Sequence, residues 1–148
     1  MVITRYYPQD TGNRAIAGVF EDGFAEGWGP LIHDAPSYRI MTPSGAFCRL
    51  KNPGGRKNAV VQIQLFAHIE HPPLPTLRIS CDSHSWVWEI DPGWQVHCRS
   101  LHTLKDVIHI DFKVIDADDE PWFELHVTEI SILESGDPRI KCKDESSV

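Results

Sequence analysis

The chain has 148 residues and carries 14 Lys and Arg against 21 Asp and Glu, which gives a formal net charge of −7. With 41% hydrophobic and 24% charged residues, the composition is that of one globular domain and excludes wholesale disorder. The acidic balance argues against nucleic-acid binding, because neutralising phosphates requires a basic patch. No apolar run approaches about eighteen residues, so no membrane-spanning helix and no membrane insertion are predicted.

The N terminus and the cysteines bear on the compartment. Residues 1–8 contain no apolar core of a secretion signal, so a cytoplasmic location is expected. Cys48, Cys81, Cys98 and Cys142 form no CxxC pair, so neither a zinc knuckle nor a redox pair is predicted. In a reducing compartment these cysteines are expected to be plain thiols, and the first three lie in apolar-alternating stretches typical of a core.

Period-two alternation of apolar and polar residues dominates the chain and indicates β-strands with one buried face. About nine strands are predicted from this pattern. They span residues 2–7, 38–42, 46–50, 59–69, 76–82, 85–90, 94–99, 107–115 and 122–133. A helix is conceivable only over Pro8–Ala17, which lacks a sustained apolar stripe. In the last strand the alternation changes phase near Thr128 and Glu129, as a β-bulge would produce.

Many short strands separated by Gly- and Pro-containing turns, with almost no helix, predict an all-β fold. Because the alternation is clean, antiparallel sheets are favoured over buried parallel ones. We therefore predict a single antiparallel β-sandwich (jelly roll) over residues 1–134. The remainder, residues 135–148, is polar and is predicted to be a frayed tail.

Catalytic and metal-binding patterns are weak. His109, Asp111 and His126 resemble the two-histidine, one-carboxylate set of iron oxygenases, and His109 and Asp111 share a strand face. That face is the polar one, so solvated side chains are the alternative reading. An acidic cluster in a predicted turn could hold calcium or simply be a solvated loop; its members are Asp116, Asp118, Asp119 and Glu120. Because no nucleophile elbow or phosphate loop occurs, we expect no enzyme activity and no cofactor.

Aromatic residues give the strongest functional signal. Trp86, Trp88 and Trp94 flank a predicted hairpin turn at Asp91–Gly93. If the face that Trp86 and Trp88 share points outward, these rings form a flat strip on which sugar rings could stack; if it points inward, they are core residues. A neighbouring polar strand face adds planar hydrogen-bonding groups and one more ring, and it carries Gln62, Gln64, Phe66 and His68. These seven residues are the predicted ligand-binding set.

The order of segments resembles a family of bacterial jelly-roll domains. The segments are Gly27–Leu31, Tyr38–Met41, Ala46–Leu50, the long strand at 59–67, Leu77–Ser80, the predicted tryptophan hairpin, Val107–Ile110 and Pro121–Ile132. Their layout over residues 20–133 is similar to small domains attached to glycosyltransferases and methyltransferases of surface-polysaccharide assembly. It is also similar to the carbohydrate-binding sandwich of O-antigen ABC-transporter ATPases.

The resemblance implies a non-catalytic module that binds a glycan or supports a larger glycan-assembly protein. The residues alone leave a second interpretation open, in which the sandwich is a structural module that forms a homodimer through a sheet edge or an aromatic face. A metal-dependent jelly-roll enzyme using His109, Asp111 and His126 is a third alternative.

Overall fold

The computed structural model describes residues 12–53, 58–81, 84–103, 105–115 and 121–142, and within these ranges the chain forms ten β-strands and no helix. The strands are β1 Arg14–Ile16, β2 Trp28–Ile32, β3 Tyr38–Met41, β4 Ala46–Lys51, β5 Ala59–Ile69, β6 Thr76–Cys81, β7 His84–Glu89, β8 Gly93–Leu101, β9 Val107–Val114 and β10 Phe123–Glu134. In the described part of the chain, no helix is long and apolar enough to cross a bilayer.

The strands form two antiparallel sheets packed face to face. The larger sheet has six strands in the order β2-β3-β10-β5-β8, with β1 also paired to β10; the smaller has four, in the order β4-β9-β6-β7. Pairing of β5 with β10 extends from Ala59 and Glu134 at one end to Ile69 and Phe123 at the other. The protein is therefore an antiparallel β-sandwich of the jelly-roll type, as predicted.

Alternation builds the core between the two sheets. Val61, Ile63 and Leu65 of β5 are fully buried, and they face residues of the smaller sheet such as Ile110 and Phe112. Burial of such side chains stabilises the fold by roughly 1.5–3 kcal/mol each. The bulge predicted near Thr128 and Glu129 is confirmed, because the register between β10 and β5 shifts between Val127 and Glu129. The bulge keeps apolar residues on the inner face on both sides of the shift.

The N-terminal part of the chain departs from the prediction. The predicted strand at 2–7 lies outside the described residues. The helix considered over Pro8–Ala17 is wrong where it can be compared, because Arg14–Ile16 is β1 and pairs with Ser131, Ile130 and Glu129 of β10. β2 was not predicted either. Both strands are short or contain Gly and Pro, so neither shows a period-two pattern, and pairing with β10 and β3 determines their structure instead.

The outer edge of the smaller sheet is covered by the segment between β1 and β2. Gly23 O accepts a hydrogen bond from Arg49 N at 3.0 Å, and Glu26 O accepts one from Phe47 N at 2.8 Å. Gly27 can approach β4 only because it has no side chain: its φ is +88°, and a Cβ would lie 2.0 Å from Gly45 O. These main-chain groups at the outer edge of β4 are therefore hydrogen-bonded rather than exposed.

The turn at Asp91–Gly93 is not the hairpin that the sequence predicted. β7 belongs to the smaller sheet and β8 to the larger one, so the chain crosses between sheets here. Gln95 fixes the turn: its Nε2 donates to Gly93 O at 3.1 Å, and its Oε1 accepts from Asp91 N at 3.2 Å. A strand–turn–strand pattern has the same local sequence in both arrangements, so only pairing distinguishes them.

Cys98, Cys142 and the C-terminal segment differ from the prediction. Cys98 of β8 and Cys142 form a disulfide, although plain thiols were expected, whereas Cys48 and Cys81 are buried thiols. The C-terminal segment at 137–142, predicted to fray, lies over the outer face of the larger sheet and is anchored there by this bond. Alternation placed Cys98 correctly on a strand, but its partner lies in a stretch without any periodicity.

Candidate functional site

A row of aromatic side chains crosses the outer face of the larger sheet. The pairing register aligns His126 of β10 with Phe66 of β5, and Phe66 with Trp94 of β8. Tyr38, at the start of β3, extends the row on the other side of His126. We call this set, with the loop residues Asp34 and Pro36, the aromatic groove; its volume is about 240 Å³.

The rings of the aromatic groove contact one another in sequence. Tyr38 stacks on His126 with ring centroids 4.1 Å apart and planes 8° apart. His126 lies 6.0 Å from Phe66, which meets Trp94 edge to face at 5.2 Å. Each ring therefore restrains the next one, and such aromatic pairs contribute about 0.5–1.5 kcal/mol beyond their buried area. The result is a preorganised row rather than four independent side chains.

Trp94 is the exposed member of the groove, with 55% of its surface accessible. A large apolar ring held in the open on a rigid strand is a feature of binding surfaces more than of folding cores. Polar groups border the aromatic groove. Asp34 lies in the groove loop, and Glu124 accepts a hydrogen bond from His126 Nε2 at 3.0 Å. Apolar ring faces beside carboxylates and an imidazole suit a ligand that is apolar on its faces and polar at its edges.

Trp86 and Trp88 point inward, which answers the alternative that the sequence left open. Trp86 is only 8% exposed and donates from Nε1 to His97 Nε2 at 2.9 Å. Trp88 stacks on the same imidazole at 4.5 Å and 13°. Arg99 lies over the Trp86 ring at 5.3 Å. These residues close the side of the sandwich between β7 and β8, so they offer no platform for a ligand.

Burial, and secondarily the positive charge of Arg99, together lower the pKa of His97 to about 4. The neutral imidazole is the form that accepts the hydrogen bond from Trp86, because Nε2 must then carry a lone pair. This histidine is a structural acceptor between the sheets. Burial likewise raises the pKa of the Cys48 thiol far above its usual value, which makes that thiol unreactive.

The polar residues predicted for the site are divided between covered and open positions. Gln62 is fully buried beneath the C-terminal segment: its Oε1 accepts from Lys141 N at 2.6 Å, and its Nε2 donates to Arg139 O at 3.3 Å. Gln64 is half-buried and accepts from Lys141 Nζ. His68 is exposed, two residues beyond Phe66 and opposite Glu124 of β10. Of the three, His68 alone is openly accessible on the same face as the groove.

The structure separates the proposed metal ligands. His109 and Asp111 lie on the outer face of the smaller sheet, whereas His126 lies on the outer face of the larger one. The core of the sandwich lies between them, so these three side chains cannot hold one ion. Within the described residues, no group of three or more His, Cys, Asp or Glu could hold a metal ion. The acidic cluster considered for calcium, at 116–120, lies outside the described residues.

Two of the four rings of the aromatic groove were missed from the sequence, as were its loop residues Asp34 and Pro36. Tyr38 opens a predicted strand, and the polarity of His126 was noted, but nothing in the sequence aligns them with Phe66. The alignment depends on pairing between strands that lie 60 positions apart, since His126 is opposite Phe66. The alternation of the last strand did contain one clue, because it places His126 on the face opposite to the apolar residues Phe123, Leu125 and Val127.

A scan against protein-family profiles and a search of curated protein sequences find no match to this chain. Solved structures do match its fold. A family 35 carbohydrate-binding module from an environmental isolate superposes with a TM-score of 0.59 at 10% identity, over 82% of this chain and 93% of that one. The family 6 module from Cellvibrio mixtus lichenase 5A, solved with cellotriose, gives 0.51 at 9% identity, over 84% and 98%.

The mosquito-larvicidal Cry4Aa toxin of Bacillus thuringiensis also matches, with a TM-score of 0.58 at 8% identity over 82% of this chain. The match spans only 23% of the toxin chain. Identities this low are evidence for a shared architecture and not for a shared activity. The chain has the β-sandwich fold that these carbohydrate-binding modules and this part of the toxin adopt.

Proposed function

We propose that this protein is a non-catalytic carbohydrate-binding domain whose ligand lies in the aromatic groove. The observation that carries the proposal is Trp94, which is 55% exposed at the end of a row of mutually restrained rings. Sugar rings present apolar C–H faces that pack on aromatic faces and hydroxyls that need planar hydrogen-bonding partners. Trp94 and Phe66 supply the first kind of contact; Asp34, His126 and Glu124 supply the second.

The fold supports this proposal, since the family 35 and family 6 modules are built on the same sandwich, and the second was solved with cellotriose. In open sheets of this kind, a ligand can lie across the strands without entering the core. The aromatic groove runs across β3, β10, β5 and β8, which are spaced about 4.8 Å apart, so the row is about 14 Å wide. That width suits a short oligosaccharide rather than one sugar ring.

Isothermal titration calorimetry and tryptophan fluorescence test the proposal directly. The probes are neutral oligosaccharides of three units with different linkages, beginning with cellotriose. Trp94→Ala should abolish heat release and the fluorescence change, because it removes the exposed stacking surface. Val87→Ala is the matched control, because Val87 is an exposed apolar residue, 58% accessible, on the smaller sheet. If the Trp94 variant binds as tightly as the wild-type protein, the groove is not the site.

The resemblance noted in the sequence adds a glycan source and a cellular role to the proposal. We infer that the glycan is a bacterial surface polysaccharide and that the domain assists its assembly in the cytoplasm, alone or beside a larger glycan-assembly protein. The Cys98–Cys142 disulfide bears on the location, because stable disulfides are typical of oxidising compartments. Cell fractionation followed by immunodetection would locate the protein independently of its redox state. Recovery of the protein outside the cytoplasmic fraction would contradict the cytoplasmic part of this proposal.

A homodimer is the second candidate, and the edge of β7, with which no second described strand pairs, favours it. Among the described strands, β7 pairs with β6 alone, and its Val87 is exposed. Unpaired strand edges can join a second copy by hydrogen bonds along the edge. Light scattering over a range of concentrations tests this: a monomer at every concentration would exclude it.

A further inference from the structure

A second cluster of ring and polar side chains lies on the outer face of the smaller sheet, opposite to the aromatic groove. Phe47 and Arg49 of β4 pair with Asp111 and His109 of β9, so the four side chains share one face. With Glu26 they border a depression of about 230 Å³. We call these five residues the Phe47 patch.

Phe47 is exposed although its backbone is rigidly held. It is 42% accessible, yet its main-chain oxygen accepts from Trp28 Nε1 at 2.8 Å and from Ala25 N at 2.9 Å. Its main-chain N–H donates to Glu26 O at 2.8 Å. A fixed backbone and an open ring mean that little conformational entropy is lost when a ligand packs on the ring. Among the described residues, the large apolar side chains exposed to this degree are few: Val19, Phe47, Val87 and Trp94.

The polar members of the Phe47 patch combine donors and acceptors. Arg49 offers five N–H donors, Asp111 and Glu26 offer carboxylate acceptors, and His109 can do either. The formal charges of Arg49, Asp111 and Glu26, the charged residues that line the depression, sum to −1 and so do not favour an anionic ligand there. A neutral ring bearing several hydroxyls fits best, because each hydroxyl both donates and accepts and one ring face is apolar.

We propose that the Phe47 patch is a second carbohydrate contact, which binds a single neutral sugar ring on the sheet opposite to the aromatic groove. The class of ligand in this inference rests on the proposed function, whereas the location of the site does not depend on it. With contacts on both outer faces, one domain would bridge two glycan chains or two segments of one chain. Such bivalent attachment raises the apparent affinity for a polymer above that of either contact alone.

Two-dimensional NMR of the isotope-labelled full chain separates the two contacts. The probes are cellotriose, maltotriose and their monosaccharide, glucose, with glucuronate as the anionic comparison. We expect shifts at Phe47, Arg49 and Asp111 with the neutral sugars and weaker shifts with glucuronate. Phe47→Ala should abolish the shifts at Arg49 and Asp111 while leaving those at Trp94 and Phe66 intact. Trp94→Ala should do the reverse.

Asp111→Asn provides a second variant in case Phe47→Ala alters folding. It keeps the size of the side chain, removes a charge, and should weaken sugar contact at the patch by about tenfold, as expected when a charge-assisted hydrogen bond is lost. Lys113→Gln, two residues away on the same exposed face of β9, is the matched control and should leave contact unchanged.

The outcomes distinguish the inference from the proposed function. Shifts confined to the aromatic groove would overturn the second contact and leave the proposed function standing. Shifts confined to the Phe47 patch would overturn the proposed groove and retain the inference. Absence of shifts with all the neutral sugars would overturn both. Stronger shifts with glucuronate than with glucose would contradict the preference for a neutral ring.

Discussion

His97 accepts a hydrogen bond from the Trp86 indole across the side of the sandwich, from a strand of one sheet to a strand of the other, at 2.9 Å. Trp88 stacks on the imidazole of His97, with the two ring centroids 4.5 Å apart. β7 and β8 lie in different sheets, so no main-chain pairing joins them. This histidine and these two indoles therefore link the two sheets where the chain crosses between them.

The link predicts a pH dependence of stability. The pKa of His97 falls from 6.5 to about 4 on folding, mainly because the imidazole is buried and secondarily because of Arg99. Below pH 6.5 the unfolded chain therefore binds a proton that the folded chain does not, so stability falls as pH decreases from about 6.5 to about 4. Allowing for partial solvent exposure, we expect a loss of about 1–2 kcal/mol.

Urea unfolding at a series of pH values across this window measures the effect, with His97→Gln as the comparison. Gln is not titratable and can still accept the Trp86 hydrogen bond through its amide oxygen. The slope of the free energy of unfolding against pH should be smaller in this variant. Equal slopes for the two proteins would show that His97 does not cause the dependence. Burial raises the pKa of Asp137, but the hydrogen bonds that it accepts from Arg139 and the positive charge of that residue outweigh burial and lower the pKa below its ordinary value.

The disulfide predicts a loss of stability on reduction. Cys98 and Cys142 enclose a loop with a sequence separation of 44, and removing such a cross-link costs about 2–4 kcal/mol. Cys98→Ser should lower the free energy of unfolding by this amount, and reductant should then have no further effect. In the unfolded wild-type protein without reductant, a thiol assay should detect only Cys48 and Cys81. Reaction of all the cysteines in that assay would disprove the bond.

Most of the sheet structure was predictable because burial repeats every second residue. β5 was predicted at 59–69 and is found at Ala59–Ile69, and the phase change in β10 indicated its bulge. Local patterns fail where structure depends on distant partners. β1 has three residues, too few for any alternation to show, and it forms because β10 offers it an edge. The crossing at Asp91–Gly93 likewise has the local sequence of a hairpin, because the sheet that β8 joins is determined by its pairing with the distant strand β5.

The candidate site was predictable only in part. Parity correctly placed Phe66 on a polar face and Trp86 with Trp88 on a shared face, but parity cannot tell which face is inward. That decision depends on which sheet β7 joins, which no local pattern encodes. Gln62 has the sequence features of a solvated residue, yet the C-terminal segment covers it. Tyr38 and His126 join the groove through strand register, which the sequence does not specify.

Two of the tryptophans near the crossing, Trp86 and Trp94, should respond differently to truncation. Trp94→Ala should lower the free energy of unfolding by only about 0.5–1.5 kcal/mol, because the side chain is mostly exposed and loses mainly its edge-to-face contact with Phe66. Trp86→Ala should cost about 3–5 kcal/mol, because it leaves a cavity and removes the donor to His97. Chemical unfolding of both variants measures the contrast. Similar losses for the two would mean that Trp94 is packed in solution.

The ion pair of Arg14 with Glu129 offers a test of what holds β1 in place. The Arg14 side chain is 9% exposed and that of Glu129 is 11%, and their charged atoms lie 3.1 Å apart. Ser131 donates to the same carboxylate at 2.7 Å and accepts from Arg14 Nε at 3.3 Å. β1 is therefore attached to β10 by a largely buried polar network as well as by main-chain pairing.

Arg14→Met should destabilise the protein by about 3–5 kcal/mol, because it leaves the Glu129 carboxylate buried without its counter-charge. The double variant Arg14→Met with Glu129→Met should be more stable than this single variant, since neither charge then remains to be desolvated. Urea unfolding of both variants and of Glu129→Met gives the coupling energy between the two side chains. If the losses of the two single variants simply add in the double variant, making it the least stable of the three, the coupling energy is close to zero and the ion pair does not hold β1 against β10.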